Sequence, residues 1–131
     1  MEEESMVLCG ANAYEQKYYL NPEFSSLPEQ VKQELQILCV LFTEDVGGIL
    51  TLEFREDGTL TLNVTHADGD YLFDEIGSEW KIRQIQREHE ELLVALERYF
   101  RVVFLGEDLE EEDYGGEGLE EYEKEDPEDE P

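Results

Sequence analysis

The sequence predicts an α+β domain in which a small antiparallel sheet packs against two helices. Two observations carry this. Residues 49–65, "ILTLEFREDGTLTLNVT", alternate apolar and polar side chains on either side of a glycine-containing turn. Two other stretches, about 27–45 and about 75–105, repeat apolar residues at the three- and four-residue spacing of an amphipathic helix.

Near the amino terminus, the aromatics of "KYYL" predict a strand over residues 16–20, ended by the Asn21-Pro22 turn. Tyr14 and Tyr18 are also four apart, so residues 10–20 leave strand and helix both open. The first helix opens with Ser26 and Glu29 at capping-box spacing and Pro28 in the first turn. Val31, Leu35, Leu38, Cys39 and Phe42 share one face. Ile37, Val40 and Leu41 lie off that face, and this half of the helix is expected to be covered almost all round. Gly47 is expected to end it at positive φ, leaving Glu44 and Asp45 as water-facing residues of the last turn.

The hairpin's alternation selects its loop. A two-residue turn at Asp57-Gly58 would set Phe54 against Thr61 and scatter the apolar residues over both faces. A three-residue loop, Glu56-Asp57-Gly58 with Gly58 left-handed, pairs Phe54 with Leu60, Leu52 with Leu62 and Leu50 with Val64 on one face. The second helix carries Ile82, Ile85, His89, Leu92, Leu96, Tyr99 and Val103 as its seam, widened by Leu93 and Phe100, with Glu79/Arg83, Arg87/Glu91 and Glu97/Arg101 as opposite charges four apart on its wet side. Trp80 points about 160° away from Ile82. Packing under the tyrosine-rich N-terminal segment is the expected reason. The alternative is an exposed anchor beside Lys81, Arg83 and Arg87.

Charge narrows the function. The chain holds 36 acidic against 9 basic residues, a net charge of −27. Residues 106–131 carry −14 of it and the preceding 105 residues −13. This predicts one α+β domain over 1–105 and a disordered acidic tail over 106–131. Such a field repels phosphate, which argues against direct nucleic-acid binding and against anionic membranes. "MEEESMVLCG" is acidic where a signal peptide needs a basic start, and the two cysteines stand far apart with no CxxC spacing. Both readings point to a cytoplasmic protein with reduced core thiols. His66, Asp68 and Asp70 alternate, but the glycine that a calcium loop needs is missing. GxSxG, phosphate-loop and HExxH patterns are absent, so no catalytic, cofactor-binding or metal-ligating residue is assigned.

The segments "LCGANAYEQKYYLNPEF", "LP" at 27–28, "TEDVGGILTLEF", "DEIG" at 74–77 and "VVFLGE" at 102–107 together resemble a family of short bacterial proteins known only as a domain of unknown function, over residues 6–107. The resemblance implies a cytosolic bacterial protein. It transfers no active site, cofactor or ligand, and it leaves out the acidic tail.

Three functions compete on these residues. The first is a small interaction or regulatory module without catalysis, a monomer or weak dimer whose protein partner offers a basic surface, with Trp80, Arg83 and Arg87 as the candidate contact surface. The second is an acidic mimic that occupies a basic nucleic-acid-binding surface on another protein. The third is a small carboxylate-based enzyme or metal protein, should the acidic corners Glu44-Asp45 and Asp74-Glu75 meet in space.

Overall fold

The hairpin adopts the register that its alternation dictates. In the computed structural model, which describes residues 5–107, Phe54 lies opposite Leu60, Leu52 opposite Leu62 and Leu50 opposite Val64. Gly58 has φ 94°, and the Arg55 N–H donates to the Thr59 carbonyl across the three-residue loop. Leu50, Leu52 and Phe54 are fully buried, while Thr61 and Asn63 hydrogen bond among themselves and to the Glu53 carbonyl on the other face.

Two strands complete the sheet. β1 (Met6–Asn12) and β2 (Lys17–Leu20) precede α1 (Glu29–Val46), and β3 (Ile49–Phe54) and β4 (Leu60–Thr65) follow it. The order is β2-β1-β3-β4, antiparallel at every pairing. The strand expected at 16–20 is therefore β2, at the sheet edge. β1 pairs with both β2 and β3 and is central. It bulges between Val7 and Cys9, and Gly10 is needed there because a Cβ would stand 2.7 Å from the Leu50 carbonyl oxygen.

α1 lies on the face bearing Leu50 and Leu52 and buries Leu35, Leu38, Cys39, Phe42 and Val46. Gly47, at φ 85°, ends it, and its N–H returns to the Thr43 carbonyl at 2.8 Å. The expectation that the second half of α1 is covered all round fails, because Ile37 is 59% and Leu41 56% exposed. Phe24, in a short 3-10 turn, stacks on Phe54 at 5.6 Å and closes the core.

The single helix expected over 75–105 is two helices, α2 (Glu75–Glu88) and α3 (Glu90–Val103). His89 separates them with φ −115° and ψ 28°, and its Nδ1 lies 3.4 Å from Glu34 Oε2 on α1. Past the bend, burial favours the widened side of the expected stripe. Leu93 and Leu96 are buried, whereas Leu92 is half-buried. Glu97 Oε2 accepts from the Leu60 N–H at 2.9 Å, satisfying a donor at the start of β4.

The described residues divide into two compact units, one ending at residue 97 and the other beginning at residue 98. In the second, the described residues are the last turns of α3 and the segment to Glu107. Phe100 stacks on Phe104 at 5.0 Å. Gly106, at φ 75°, reverses the chain so that the Glu107 N–H reaches back to the Arg101 carbonyl and satisfies an acceptor of the last helical turns. Apart from Gly106 and Glu107, the expected tail over 106–131 lies outside the described residues. Among the described residues, no helix is long and apolar enough to cross a membrane.

Candidate interaction surface

The region around α2 is built from the two glycines that close α1. Beyond Gly47 and Gly48 the chain enters the hairpin, and it returns after Thr65 through a loop to the same corner, where the Asp74 N–H donates to the Val46 carbonyl at 3.1 Å. The Asp74 side chain caps α2 by accepting from the Gly77 N–H at 2.9 Å.

Two internal clasps shape the loop over residues 66–73. Tyr14, in the β1–β2 turn, donates its hydroxyl to Asp70 Oδ2 at 2.5 Å and accepts from the Ala67 N–H at 2.9 Å. His66 stacks on Phe73 at 4.5 Å between ring centroids. The Tyr14 hydrogen bond holds the Asp70 carboxyl below its ordinary range, and the same bond raises the Tyr14 phenol above its own. With Asp70 and Phe73 held inward, the two residues between them face water: Tyr71 is 95% and Leu72 92% exposed.

α2 continues this apolar surface. Ile76 is 84% and Trp80 59% exposed, one helical turn apart. The N-terminal tyrosines thus leave Trp80 in solvent, contrary to the packing expected for it. On α1, Ile37 and Leu41 are likewise exposed and one turn apart. Asp45, a turn beyond Leu41, pairs with Lys81, the neighbour of Trp80, at 2.5 Å. The ion pair joins the helical turns that present the two apolar pairs. Around them stand the exposed carboxylates Glu34, Glu44, Glu75, Glu79 and Glu88.

Of the sequence-derived candidates, Trp80, Arg83 and Arg87 are all exposed on α2, at helical positions that share one side. Arg83 also lines an open groove of about 490 Å³ with His66, Phe73, Glu75 and Glu79. Arg87 lines a second groove beside Glu34 and His89. The acidic corners meet only through backbone, at Asp74 and Val46. Their carboxylates diverge: Asp45 holds Lys81, Asp74 holds the Gly77 N–H, Glu75 lines the Arg83 groove, and Glu44 lines a separate groove with Gln36 and Thr43. Among the described residues, no group of three or more histidine, cysteine or acidic side chains is placed to hold a metal ion.

Sequence reasoning missed the exposure of Tyr71, Leu72, Ile76, Ile37 and Leu41, because apolar spacing signals a buried face and carries no mark of one left open. It also missed the Tyr14–Asp70 clasp, whose members are 56 residues apart.

Fold and surface together define a small α+β domain with a four-stranded antiparallel sheet, α1 packed on one of its faces, and an acid-framed apolar surface on α1 and α2. The chain belongs to a family of unknown function (DUF6145), whose model matches residues 5–108. No curated protein and no solved structure matches it.

Proposed function

We propose that the domain is a non-catalytic protein-interaction module of the cytoplasm. Its docking face comprises Tyr71, Leu72, Ile76 and Trp80, with Ile37 and Leu41 extending it and Arg83 and Arg87 at its margin. One observation carries the reading: four large apolar side chains within ten residues are each more than half exposed, on a chain whose overall composition is strongly acidic. Contiguous exposed apolar side chains rimmed by charge mark interaction sites, and tryptophan and arginine are frequent anchors in them. The surrounding carboxylates select the partner, which presents apolar anchors within a basic rim. Self-association through this face is disfavoured by repulsion between copies that each carry −27, in keeping with a monomer or weak dimer.

The test is quantitative affinity capture from the native cytoplasm with three baits: the unaltered chain, Ile76→Ser/Trp80→Ser, and a control altered at Asn63 on the opposite sheet face. The reading expects a defined set of proteins retained by the first and third baits and lost from the second, with capture weakening as salt rises. Identical sets from all three refute it.

A further inference from the structure

Cys9 and Cys39, 30 residues apart with no spacing signal, meet in the core. Their sulfurs are 3.8 Å apart, both residues are fully buried, and they stand on different elements, β1 and α1. The third member of the cluster is Tyr18 on β2, whose hydroxyl is buried beside Cys9 and has no hydrogen-bond partner among the described residues. Two thiols and an unsatisfied hydroxyl make an uneconomical filling for a small core, since aliphatic side chains would fill the space with no polar atom left over.

We propose that Cys9, Cys39 and Tyr18 form a redox-modification site, at which a hydroperoxide converts the two thiols to an intramolecular disulfide tying β1 to α1. A disulfide needs the sulfurs at about 2.05 Å, so they must approach by about 1.8 Å from their 3.8 Å separation. At rest the site is protected. The contact with Cys9 and then burial push the Cys39 thiol up, so it stays protonated and poorly nucleophilic.

Access lies through β2. This strand is four residues long, is at the sheet edge, and carries Tyr18 over the pair; Leu20 on it lies opposite Cys9. Short edge strands open at lower free energy than central ones. When β2 lifts, Cys9 loses a proton and its sulfur attacks one peroxide oxygen, breaking the O–O bond. Cys9 becomes a sulfenic acid, and the leaving hydroxide takes up the proton as water. The new oxygen gives the Tyr18 hydroxyl the partner it lacks. The Cys39 sulfur then attacks the Cys9 sulfur, the S–O bond breaks, and the departing hydroxide takes the Cys39 proton as a second water. Overall, two thiols and one hydrogen peroxide yield one disulfide and two waters; an organic hydroperoxide would yield one water and one alcohol.

The experiment treats the reduced full-length chain with hydrogen peroxide at neutral pH, quenches by alkylation in denaturant, and reads intact mass and a peptide map. The proposal expects a monomer lighter by two hydrogens, no alkylated cysteine, and a single cross-linked peptide joining Cys9 to Cys39. Closing a loop of this length should raise the folding equilibrium constant by roughly a few hundredfold, read in denaturant melts of oxidised against reduced protein. Tyr18→Phe, which keeps the ring and removes the hydroxyl, should slow disulfide formation. Recovery of two alkylated thiols, oxygen adducts on one cysteine without the cross-link, or disulfides between chains would each overturn the proposal. An unchanged rate in Tyr18→Phe would overturn the part given to the hydroxyl.

Discussion

Of the two glycines that follow α1, the second is expected to be the more sensitive. Both have positive φ, 85° at Gly47 and 75° at Gly48. Gly47 combines its φ with ψ −169°, a region nearly reserved for glycine, where another residue costs about 1–3 kcal/mol. A Cβ there would find its nearest neighbours, both on Phe73, at 3.9 Å, so Gly47→Ala should cost that conformational term and little else. At Gly48 the left-handed backbone costs about 1–2 kcal/mol, and space is short as well. A Cβ would stand 2.7 Å from the Thr65 carbonyl oxygen and 2.8 Å from the Phe73 ring. The oxygen belongs to the last β3–β4 pair, Ile49 with Thr65, and cannot retreat without opening it. The ring is held by its stack on His66. Overpacking of this kind adds about 1–3 kcal/mol, giving about 2–5 kcal/mol for Gly48→Ala.

Urea unfolding of both variants, followed by far-ultraviolet circular dichroism with matched m-values, checks the order. Adding Phe73→Leu should recover part of the Gly48→Ala loss by freeing the ring, while the clash with the Thr65 oxygen remains. A Gly48→Ala loss equal to or below that of Gly47→Ala would refute the reasoning. Asp45→Asn, by contrast, alters only a part-exposed pair with Lys81 and should change stability by less than about 1 kcal/mol.

Three further outcomes follow from particular contacts. Glu97→Ala should destabilise by about 1–3 kcal/mol because it strips the Leu60 N–H of its acceptor; Glu97→Gln, which keeps a carbonyl there, should lose less, and denaturant melts that rank the two variants the other way would contradict this. Trp80 should emit at long wavelength and be quenched freely by acrylamide, a neutral probe that the chain's negative charge does not repel; a blue-shifted, protected tryptophan would show the docking face to be covered. The Tyr14–Asp70 clasp should shape the pH dependence of stability: the lowered Asp70 carboxyl contributes stability present above its ordinary value of 3.8 and lost as pH falls through the lowered one, and the raised Tyr14 phenol contributes stability present below its ordinary 10.0 and lost as pH rises through the raised one. The melting-temperature difference between the unaltered chain and Tyr14→Phe should therefore be largest at neutral pH and shrink in acid and in alkali, whereas a constant difference would exclude the clasp as its source.

The elements that were legible are those in which local pattern and tertiary demand agree. A hairpin with one buried face tolerates a single register, because a slip of one residue would turn Leu50, Leu52 and Phe54 into water. Gly47 was legible for the same reason, since a helix running straight into a strand needs a stop with positive φ. β1 was not. It is central and bulged, and Gly10 interrupts its apolar run to let the Leu50 carbonyl approach, so neither alternation nor propensity marks it. With β1 unseen, nothing could place Cys9 against Cys39. The bend at His89 comes with a contact to Glu34, 55 positions away, and local spacing read straight through it.

The remaining departures have a different character. Trp80, Ile76, Ile37 and Leu41 violate the rule that large apolar side chains on a helix seek cover, and they do so on the solvent side of α1 and α2. A bend or a bulge is compensated within the fold, by a hydrogen bond or a close backbone approach. Among the described residues these four side chains have no such return, since burying any of them would contribute about 1.5–3 kcal/mol. Departures of this kind, where local consistency is given up without internal compensation, concentrate at functional sites. A partner matched to an apolar face framed by Glu34, Glu44, Glu75, Glu79 and Glu88 would be a protein whose apolar anchors are set among lysine and arginine, the complement that the proposed function requires.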